Sequence, residues 1–194
     1  RSLAFFSKAV ERVGEESYPI HIKLDTGMHR LGFMEGELDM LTETLGETPS
    51  VKVATIFSHL NCSDMPQEDR YTREQIARFD RMSGRLAAAL PYPVLRHTAN
   101  SAAIERFPEA QFDMCRLGLG LYGFGFEHND ELKPVSTLKS RIVQLKHLSA
   151  GEAVGYGRAG KLTRDSVTAT VPMGYADGLD RHLGCGRWSM LVAG

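Results

Sequence analysis

Residues 1–126 alternate short strand-like segments with longer helix-like segments, and this alternation constrains the fold more than any other feature. Residues 18–25, 51–59, 94–99 and 114–121 have the length and apolar content typical of strands. Strands separated by helices indicate βαβ units and a parallel sheet. Four such strands fit either an open sheet or half of an eight-stranded barrel.

Apolar residues at helical spacing lie between these strands and predict the helices. The TREQ motif at residues 72–75 is typical of a capping box, so a helix is expected to begin there. A short helix is expected to begin near Asn100 and Ser101. The residues predicted to form the apolar helix faces are Leu3, Phe6, Val10 and Val13, then Leu38, Leu41 and Leu45, then Ile76, Phe79, Met82 and Leu86.

The pattern changes near Lys133 and Pro134, after which short strands and turns replace helices. Strands are predicted at residues 141–148, 153–158, 166–173 and 188–193. Residues 134–194 therefore form a second, β-rich domain, separate from an α/β domain at residues 1–130. Because the chain begins at Arg1 and stops after an apolar strand, both of its ends are expected to be truncated.

Composition excludes several classes of function. The formal net charge is -1 and no basic run occurs, which argues against a nucleic-acid partner. The three cysteines form no CxxC pair, and this indicates a reducing compartment with neither a disulfide framework nor a zinc site. No apolar run is long enough for a membrane span and no signal segment opens the chain, so the expected location is the cytoplasm.

Two motifs place polar side chains at strand ends. In HIKLDTGMHRLGF, residues 21–33, Arg30 could bind an anion with its planar fork, or it could form a salt-bridge cluster with Lys23 and Asp25. In SHLNCSD, His59 ends a strand and is either structural or catalytic. No second histidine or cysteine lies at ligand spacing, so no metal is expected.

Two further motifs could hold a phosphate. In HTANSAAIERFP, Asn100 and Ser101 open a helix and serve either an anion or an ordinary N-cap. In DMCRLGLGLYG, the glycines after Arg116 expose backbone N–H groups. A dinucleotide fingerprint fails here, because no acidic residue follows about twenty positions later in a βαβ unit. Tyr156 and Tyr175, each framed by glycine, are either turn aromatics or site residues.

In this order, KLDTGMHRLGF, HTANSAA with RFP, the Arg-x-Gly-x-x-x-Tyr-Gly run and GYADG resemble the signatures of alanine racemases. The resemblance covers about residues 18–194. It implies an α/β fold class, in which the C-terminal half of a (β/α)8 TIM-type barrel, strands 5–8, precedes the start of a β-rich domain. It also implies pyridoxal 5'-phosphate as cofactor and a head-to-tail homodimer.

The resemblance assigns cofactor contacts residue by residue. Arg116 resembles the arginine that hydrogen-bonds the pyridine nitrogen, where a guanidinium donates without giving up its proton. Ser101 and the backbone of Gly118 and Leu119 resemble the phosphate ligands. Residues resembling supports around the ring are His59 and Asn100.

The resemblance also assigns proton chemistry. Tyr156 resembles the catalytic tyrosine, contributed across the dimer interface, and a free phenol of pKa near 10 needs cationic neighbours such as the His59–Arg116 pair. Tyr175 resembles a residue at the entrance of the site. The catalytic set implied by the resemblance is Tyr156, Arg116, Arg30 and His59.

Arg30 and Lys23 also match family positions, whereas the missing Schiff-base lysine and the placement of Arg181 depart from the family. Arg30 resembles the arginine near the phenolic oxygen of the cofactor, and Lys23 resembles a lysine that is carbamylated in some members, which would make its contact with Arg30 attractive. The Schiff-base lysine of the family lies in a VVKANAYGHG-like motif that this sequence lacks. Arg181 stands where many members have a differently placed arginine and receives no role.

The resemblance predicts interconversion of L- and D-alanine for peptidoglycan synthesis, by a parent protein of which this piece is inactive alone. GMHRLGF is also similar to racemase domains that some bacteria fuse to a D-alanyl-D-alanine-adding ligase. One alternative is a racemase of serine or lysine on the same fold. The other is a non-catalytic cofactor-binding or interaction module.

Overall fold

The computed structural model describes residues 2–192, and the chain divides into two compact units, Arg1–Ser136 and Thr137–Gly194. The first unit alternates helices and strands, and short 3-10 turns connect them. Its elements are α1 (Ser2–Arg12), β1 (Tyr18–Lys23), α2 (Leu38–Gly46), β2 (Val51–Phe57), α3 (Asp69–Ala88), β3 (Leu95–His97) and α4 (Ser101–Arg106).

The three strands form one parallel sheet in the order β1-β2-β3. The register of β1 on β2 shifts between Ile20 and His21, so that Ile20 pairs with Val53 and His21 with Thr55. This bulge lets the β2 residues on either side of it face the helices, because strand side chains otherwise alternate. The core against α2 and α3 contains Ile22, Leu24, Val53, Ile56, Leu38, Leu41, Leu45, Phe79, Met82 and Leu86.

The opposite face of this sheet is polar at the carboxyl ends of its strands. Thr55 and Phe57 alternate with the core residue Ile56 on β2, and their register partners are His21 on β1 and His97 on β3. His97 stacks on Phe57 with ring centroids 5.3 Å apart and an interplanar angle of 7°. The fold therefore separates an apolar helix-facing side from a side that carries imidazole and hydroxyl groups.

The predicted start of the third helix is wrong. α3 begins at Asp69, directly after a 3-10 turn over Pro66–Glu68. Thr72 lies inside the helix, fully buried, and its hydroxyl donates to the Cys62 carbonyl at 3.4 Å. The 3-10 turn that begins at Pro66 leads directly into the helix, so the TREQ motif does not mark the helix N-terminus.

The predicted fourth strand, residues 114–121, is also wrong. Only two backbone hydrogen bonds tie this part of the chain to the β3 side, from Asp113 N to the Arg96 carbonyl and from Arg116 N to the Ala99 carbonyl, each 3.0 Å long. The chain then forms a 3-10 turn over Leu119–Tyr122. Gly123 ends this turn with φ of 86°, a conformation that favours glycine.

In the second unit, β4 (Gln144–Leu148) pairs antiparallel with β7 (Ser166–Thr170), and β5 (Ala153–Val154) with β6 (Gly160–Lys161). The strands predicted at residues 141–148, 153–158 and 166–173 are thus present but shorter. The second is cut short because Gly155 and Gly157 adopt positive φ. Residues 188–192 form no strand, contrary to the prediction for 188–193, and Ala193 lies outside the described residues.

Candidate functional site

Arg116 is the centre of the polar groups at the carboxyl end of the sheet. Its Nη1 donates to His97 Nδ1 at 2.8 Å, and its Nη2 donates to His59 Nδ1 at 3.1 Å. Nη2 also donates to the Ser58 carbonyl at 2.8 Å and to the Thr98 carbonyl at 3.1 Å. The guanidinium thus links the segments that follow β2 and β3. Two of the residues predicted from the sequence, Arg116 and His59, are in direct contact.

The charge of Arg116 is held by neutral acceptors alone among the described residues. No carboxylate lies within ion-pair distance of it there, and burial lowers the pKa of the guanidinium. A half-buried cation without a counter-ion is costly, so this position favours an anion or a strong acceptor. No hydrogen bond from Arg116 Nε occurs within residues 2–192, which leaves that N–H as a donor for such a group.

The two imidazoles around Arg116 are neutral. Burial, followed by the charge of Arg116, lowers the pKa of His97 from 6.5 to about 4. The same two causes lower the pKa of His59. Because arginine can only donate, each Nδ1 that contacts it must accept, and both neutral rings carry their proton on Nε2.

His97 and Thr55 are network residues that the sequence reasoning missed. His97 is buried, and its Nε2 lies 3.1 Å from Thr55 Oγ1. The sequence did contain a positional indication. His59 and His97 each lie at or near the end of a predicted strand, and these two strands follow one another along the chain. Strand-end histidines on neighbouring parallel strands meet at one edge of the sheet.

Ser101 joins α4 to the glycine-rich turn. Its Oγ accepts hydrogen bonds from Gly118 N at 2.8 Å and from Gly120 N at 3.1 Å. Asn100 caps α4 by accepting from Ala103 N, and it also accepts from the Ser63 hydroxyl at 2.7 Å. Ser101 is therefore in contact with Gly118, which follows Arg116 by two residues. Asn100 is the N-cap of α4 and also links that helix to Ser63.

Lys23 and Arg30 form no salt-bridge cluster with Asp25. Asp25 instead accepts from Gly27 N and His29 N, each at 3.0 Å; burial opposes its ionisation, but these hydrogen bonds and the charge of His29 lower its pKa overall. Burial and then the charge of Arg30 lower the pKa of Lys23. Lys23 and Arg30 are thus near enough to repel each other. Of the two interpretations of this motif, the salt-bridge cluster is not observed, and the anion-binding Arg30 stays a prediction.

The two tyrosines lie in the second unit. Tyr156 stands in the turn between β5 and β6 and is fully exposed, flanked by Gly155 and Gly157 at positive φ. Tyr175 is also exposed, and the Arg181 guanidinium lies 5.7 Å from its ring centroid. Such hairpin-tip and surface positions leave both phenols available to another molecule.

Three features are absent from the part of the chain that the structure describes. Across residues 2–192, no three histidine, cysteine or acidic side chains come together as metal ligands would. The same part of the chain contains no helix with the length and apolarity to cross a bilayer. The described cysteines form no disulfide.

Comparison with known proteins gives matches over most of the chain. A family model described as "Alanine racemase, N-terminal domain" matches residues 3–125, and one described as "Alanine racemase, C-terminal domain" matches residues 135–194. An alanine racemase of Sorangium cellulosum is 40% identical over 177 residues, covering 90% of this chain and 46% of the relative. Alanine racemase 2 of Caldanaerobacter subterraneus is 38% identical, covering 93% of this chain and 49% of the relative.

Solved structures agree with these matches. The alanine racemase of Streptomyces lavendulae superposes with a TM-score of 0.84 at 30% identity, covering 93% of this chain and 49% of that one. The Bartonella henselae alanine racemase, described with covalently bound pyridoxal phosphate, gives 0.70 at 28% identity, with coverage of 93% and 49%. The chain spans about half the length of the curated relatives it matches. The expected fold class, half of an α/β barrel followed by the start of a β-rich domain, is confirmed.

Proposed function

This chain belongs to the alanine racemase family, and we propose that the whole protein interconverts L- and D-alanine with pyridoxal phosphate. The observation that carries this proposal is Arg116, a half-buried guanidinium without a carboxylate partner in the described chain, next to the Ser101–Gly118 contact. We further propose that the protein is a cytoplasmic homodimer that supplies D-alanine for peptidoglycan.

The donors of this site fit the chemistry of pyridoxal phosphate. A phosphate ester needs N–H and O–H donors. The Ser101 hydroxyl proton has no acceptor among residues 2–192, and the N–H groups of Gly118 and Gly120 donate to the oxygen of the same hydroxyl. Leu119 N lies in the same turn. A pyridine nitrogen needs one donor, and Arg116 has an N–H without a partner among residues 2–192. Asn100 and His59 would hold the surroundings of the ring in place.

When bound, pyridoxal phosphate supplies an electron sink that weakens the Cα–H bond of an amino acid. Arg116 keeps its proton at any working pH, so it orients its acceptor by hydrogen bonding and donates no proton to it. His59 and His97 remain neutral acceptors on the inner side of the guanidinium. These residues fix the charge of the pocket, and none of them gains or loses a proton during turnover.

Racemisation requires a base on each side of Cα, one to remove the proton and one to return it. We assign one base to Tyr156, whose exposed position at a hairpin tip suits a residue presented to the site of a partner subunit. The Arg116 guanidinium is the candidate cation to stabilise the phenolate, and the neutral His59 ring is its hydrogen-bond partner. The second base is the Schiff-base lysine of the family, and Tyr175 lines the entrance.

Arg30 and Lys23 complete the proposed pocket. Arg30 is exposed and would donate to the phenolic oxygen of the cofactor. The lowered pKa of Lys23 favours its neutral amine, which is the form that reacts with carbon dioxide to give a carbamate. A carbamate would turn the repulsion between these two residues into attraction.

The test is racemisation by the full-length protein with L-alanine, L-serine and L-lysine, each followed by chiral chromatography. The expected result is D-alanine formation that depends on added pyridoxal phosphate, and an Arg116→Lys variant with much lower activity because an ammonium lacks the planar fork. Faster racemisation of L-serine or L-lysine than of L-alanine would contradict alanine as the substrate. Cofactor binding with no racemisation at all would support the non-catalytic module, and the 194-residue chain alone is expected to be inactive.

A further inference from the structure

The Arg116 network continues away from the proposed cofactor pocket through two residues on the polar face of the sheet. Thr55 is buried on β2, and its Oγ1 lies 3.1 Å from His97 Nε2. The same oxygen lies 2.6 Å from Nδ1 of His21, an exposed residue on β1. The register shift after Ile20 brings His21 opposite Thr55, so the bulge creates this contact.

The hydrogen bonds in this chain have a fixed direction. Arg116 only donates, so His97 Nδ1 accepts and the neutral ring must carry its proton on Nε2. That Nε2–H donates to Thr55 Oγ1, the acceptor it meets in the described protein. The Thr55 hydroxyl keeps its own proton, and His21 Nδ1 is placed to accept it.

Packing alone does not set this arrangement. The stack on Phe57 fixes the plane of the His97 ring, with an interplanar angle of 7°. A half-turn of the ring about its Cβ–Cγ bond would keep that stack, yet it would present a C–H to Arg116 in place of Nδ1. The Thr55 hydroxyl distinguishes the two, because only one of them places Nε2–H against an oxygen.

We propose that Thr55 is a positioning residue for Arg116, because its hydroxyl holds the His97 ring in the orientation that accepts from the guanidinium. The proposal rests on the proposed function only in that Arg116 then contacts the cofactor. Without the hydroxyl, a buried Nε2–H has no acceptor, so the ring adopts both orientations and Arg116 loses one of the contacts that aim it. In the flipped orientation no ring nitrogen faces Arg116, so Nδ1 no longer has to accept and both tautomers are populated.

The test compares Thr55→Val, which keeps the shape and removes the hydroxyl, with Thr55→Ser, which keeps the hydroxyl and removes a methyl group. Long-range proton–nitrogen NMR on the purified protein without cofactor reports which ring nitrogen of His97 carries the proton. The wild type and T55S are expected to show a single state, protonated at Nε2, whereas T55V shows averaged nitrogen shifts. Thr55→Ala supplies the same loss of hydroxyl if T55V does not fold.

Pyridoxal phosphate titration is the second readout. The dissociation constant is expected to rise about fivefold in T55V, the change for one ordinary hydrogen bond, and less than about twofold in T55S. Unchanged nitrogen shifts in T55V, or equal changes in both variants, would overturn the role of the hydroxyl. Failure of the wild type to bind pyridoxal phosphate would overturn the proposed function, while the nitrogen shifts would still decide the role of Thr55.

Discussion

Replacing Ser101 with alanine tests whether the α4–glycine turn junction binds phosphate. The Ser101 hydroxyl accepts from Gly118 N at 2.8 Å and from Gly120 N at 3.1 Å. Its own proton has no acceptor within the described part of the chain, so it is available to an anionic oxygen. Ser101→Ala removes that donor and also releases the two N–H groups it holds.

The size of the effect follows from these contacts. A hydrogen bond to a charged group is worth about 1.5–3 kcal/mol, and the lower end applies here because Gly118 is exposed. About 1.5 kcal/mol corresponds to a roughly tenfold weaker affinity for pyridoxal phosphate. Pyridoxal lacks the phosphate, so its affinity should change by less than about twofold. The free energy of unfolding should fall by about 1 kcal/mol, since the exposed Gly118 N–H and the half-buried Gly120 N–H lose their acceptor.

The assay is a fluorescence titration of wild type and Ser101→Ala with each of the two ligands. Ser7→Ala is the matched control, since the buried Ser7 hydroxyl donates only to the Ala4 carbonyl within α1, at 3.2 Å. The control should bind both ligands as the wild type does. Equal weakening of pyridoxal and pyridoxal phosphate by Ser101→Ala would refute a phosphate contact and indicate a collapsed turn.

Three further outcomes are expected. Phe79→Ala should lower the free energy of unfolding in urea by about 3–5 kcal/mol, because Phe79 is fully buried between α3 and the sheet, and a loss below about 1 kcal/mol would contradict this. Since the pKa of His97 is lowered from 6.5 to about 4, the unfolded chain binds the extra proton between those values. The contribution of His97 to stability is therefore complete above pH 6.5 and falls by up to about 3 kcal/mol towards pH 4. His97→Gln should show a smaller acid loss of stability than the wild type, with the part due to the lowered pKa of His59 remaining. Arg106→Met should lower the free energy of unfolding by about 2–3 kcal/mol in the same denaturation assay, because the buried Arg106 side chain donates to Asp69 at 2.7 Å and to Glu127 at 3.2 Å. Both carboxylates are partly exposed to solvent, which screens their interaction with Arg106, so a loss above about 5 kcal/mol would contradict this reasoning.

Much of the secondary structure was predictable because local spacing and burial agree. The apolar residues of α2, Leu38, Leu41 and Leu45, recur at helical spacing and all pack on the sheet. The errors arose where an adjacent turn or the lack of a pairing strand outweighs the local composition. TREQ has the composition of a capping box, but an upstream proline-led turn starts α3 earlier. In residues 188–192 the apolar composition suggests a strand, and no neighbouring strand pairs with it among the described residues.

The candidate site was predictable in part. Polar groups were expected to meet where parallel strands end, and Arg116 does contact His59. Residues 114–121 form no strand, however, so strand order alone accounts neither for this contact nor for the one between Ser101 and Gly118. His97 was overlooked because its only sign in the sequence is its position near the end of a predicted strand, which a purely structural histidine shares. The partner of Asp25 was also open, since Lys23, His29 and Arg30 all lie close to it in sequence.

The order of residue types along this chain determined by itself that strands and helices alternate, that polar groups end the strands, and that a glycine-rich turn follows an arginine. Only the tertiary structure decided which of those groups bond to one another. The contacts of Arg116 reach residues between 18 and 58 positions away, and the link from Thr55 to His21 depends on a one-residue bulge. Such contacts depend on strand register, which is set by packing across the whole sheet and leaves no mark in the local sequence.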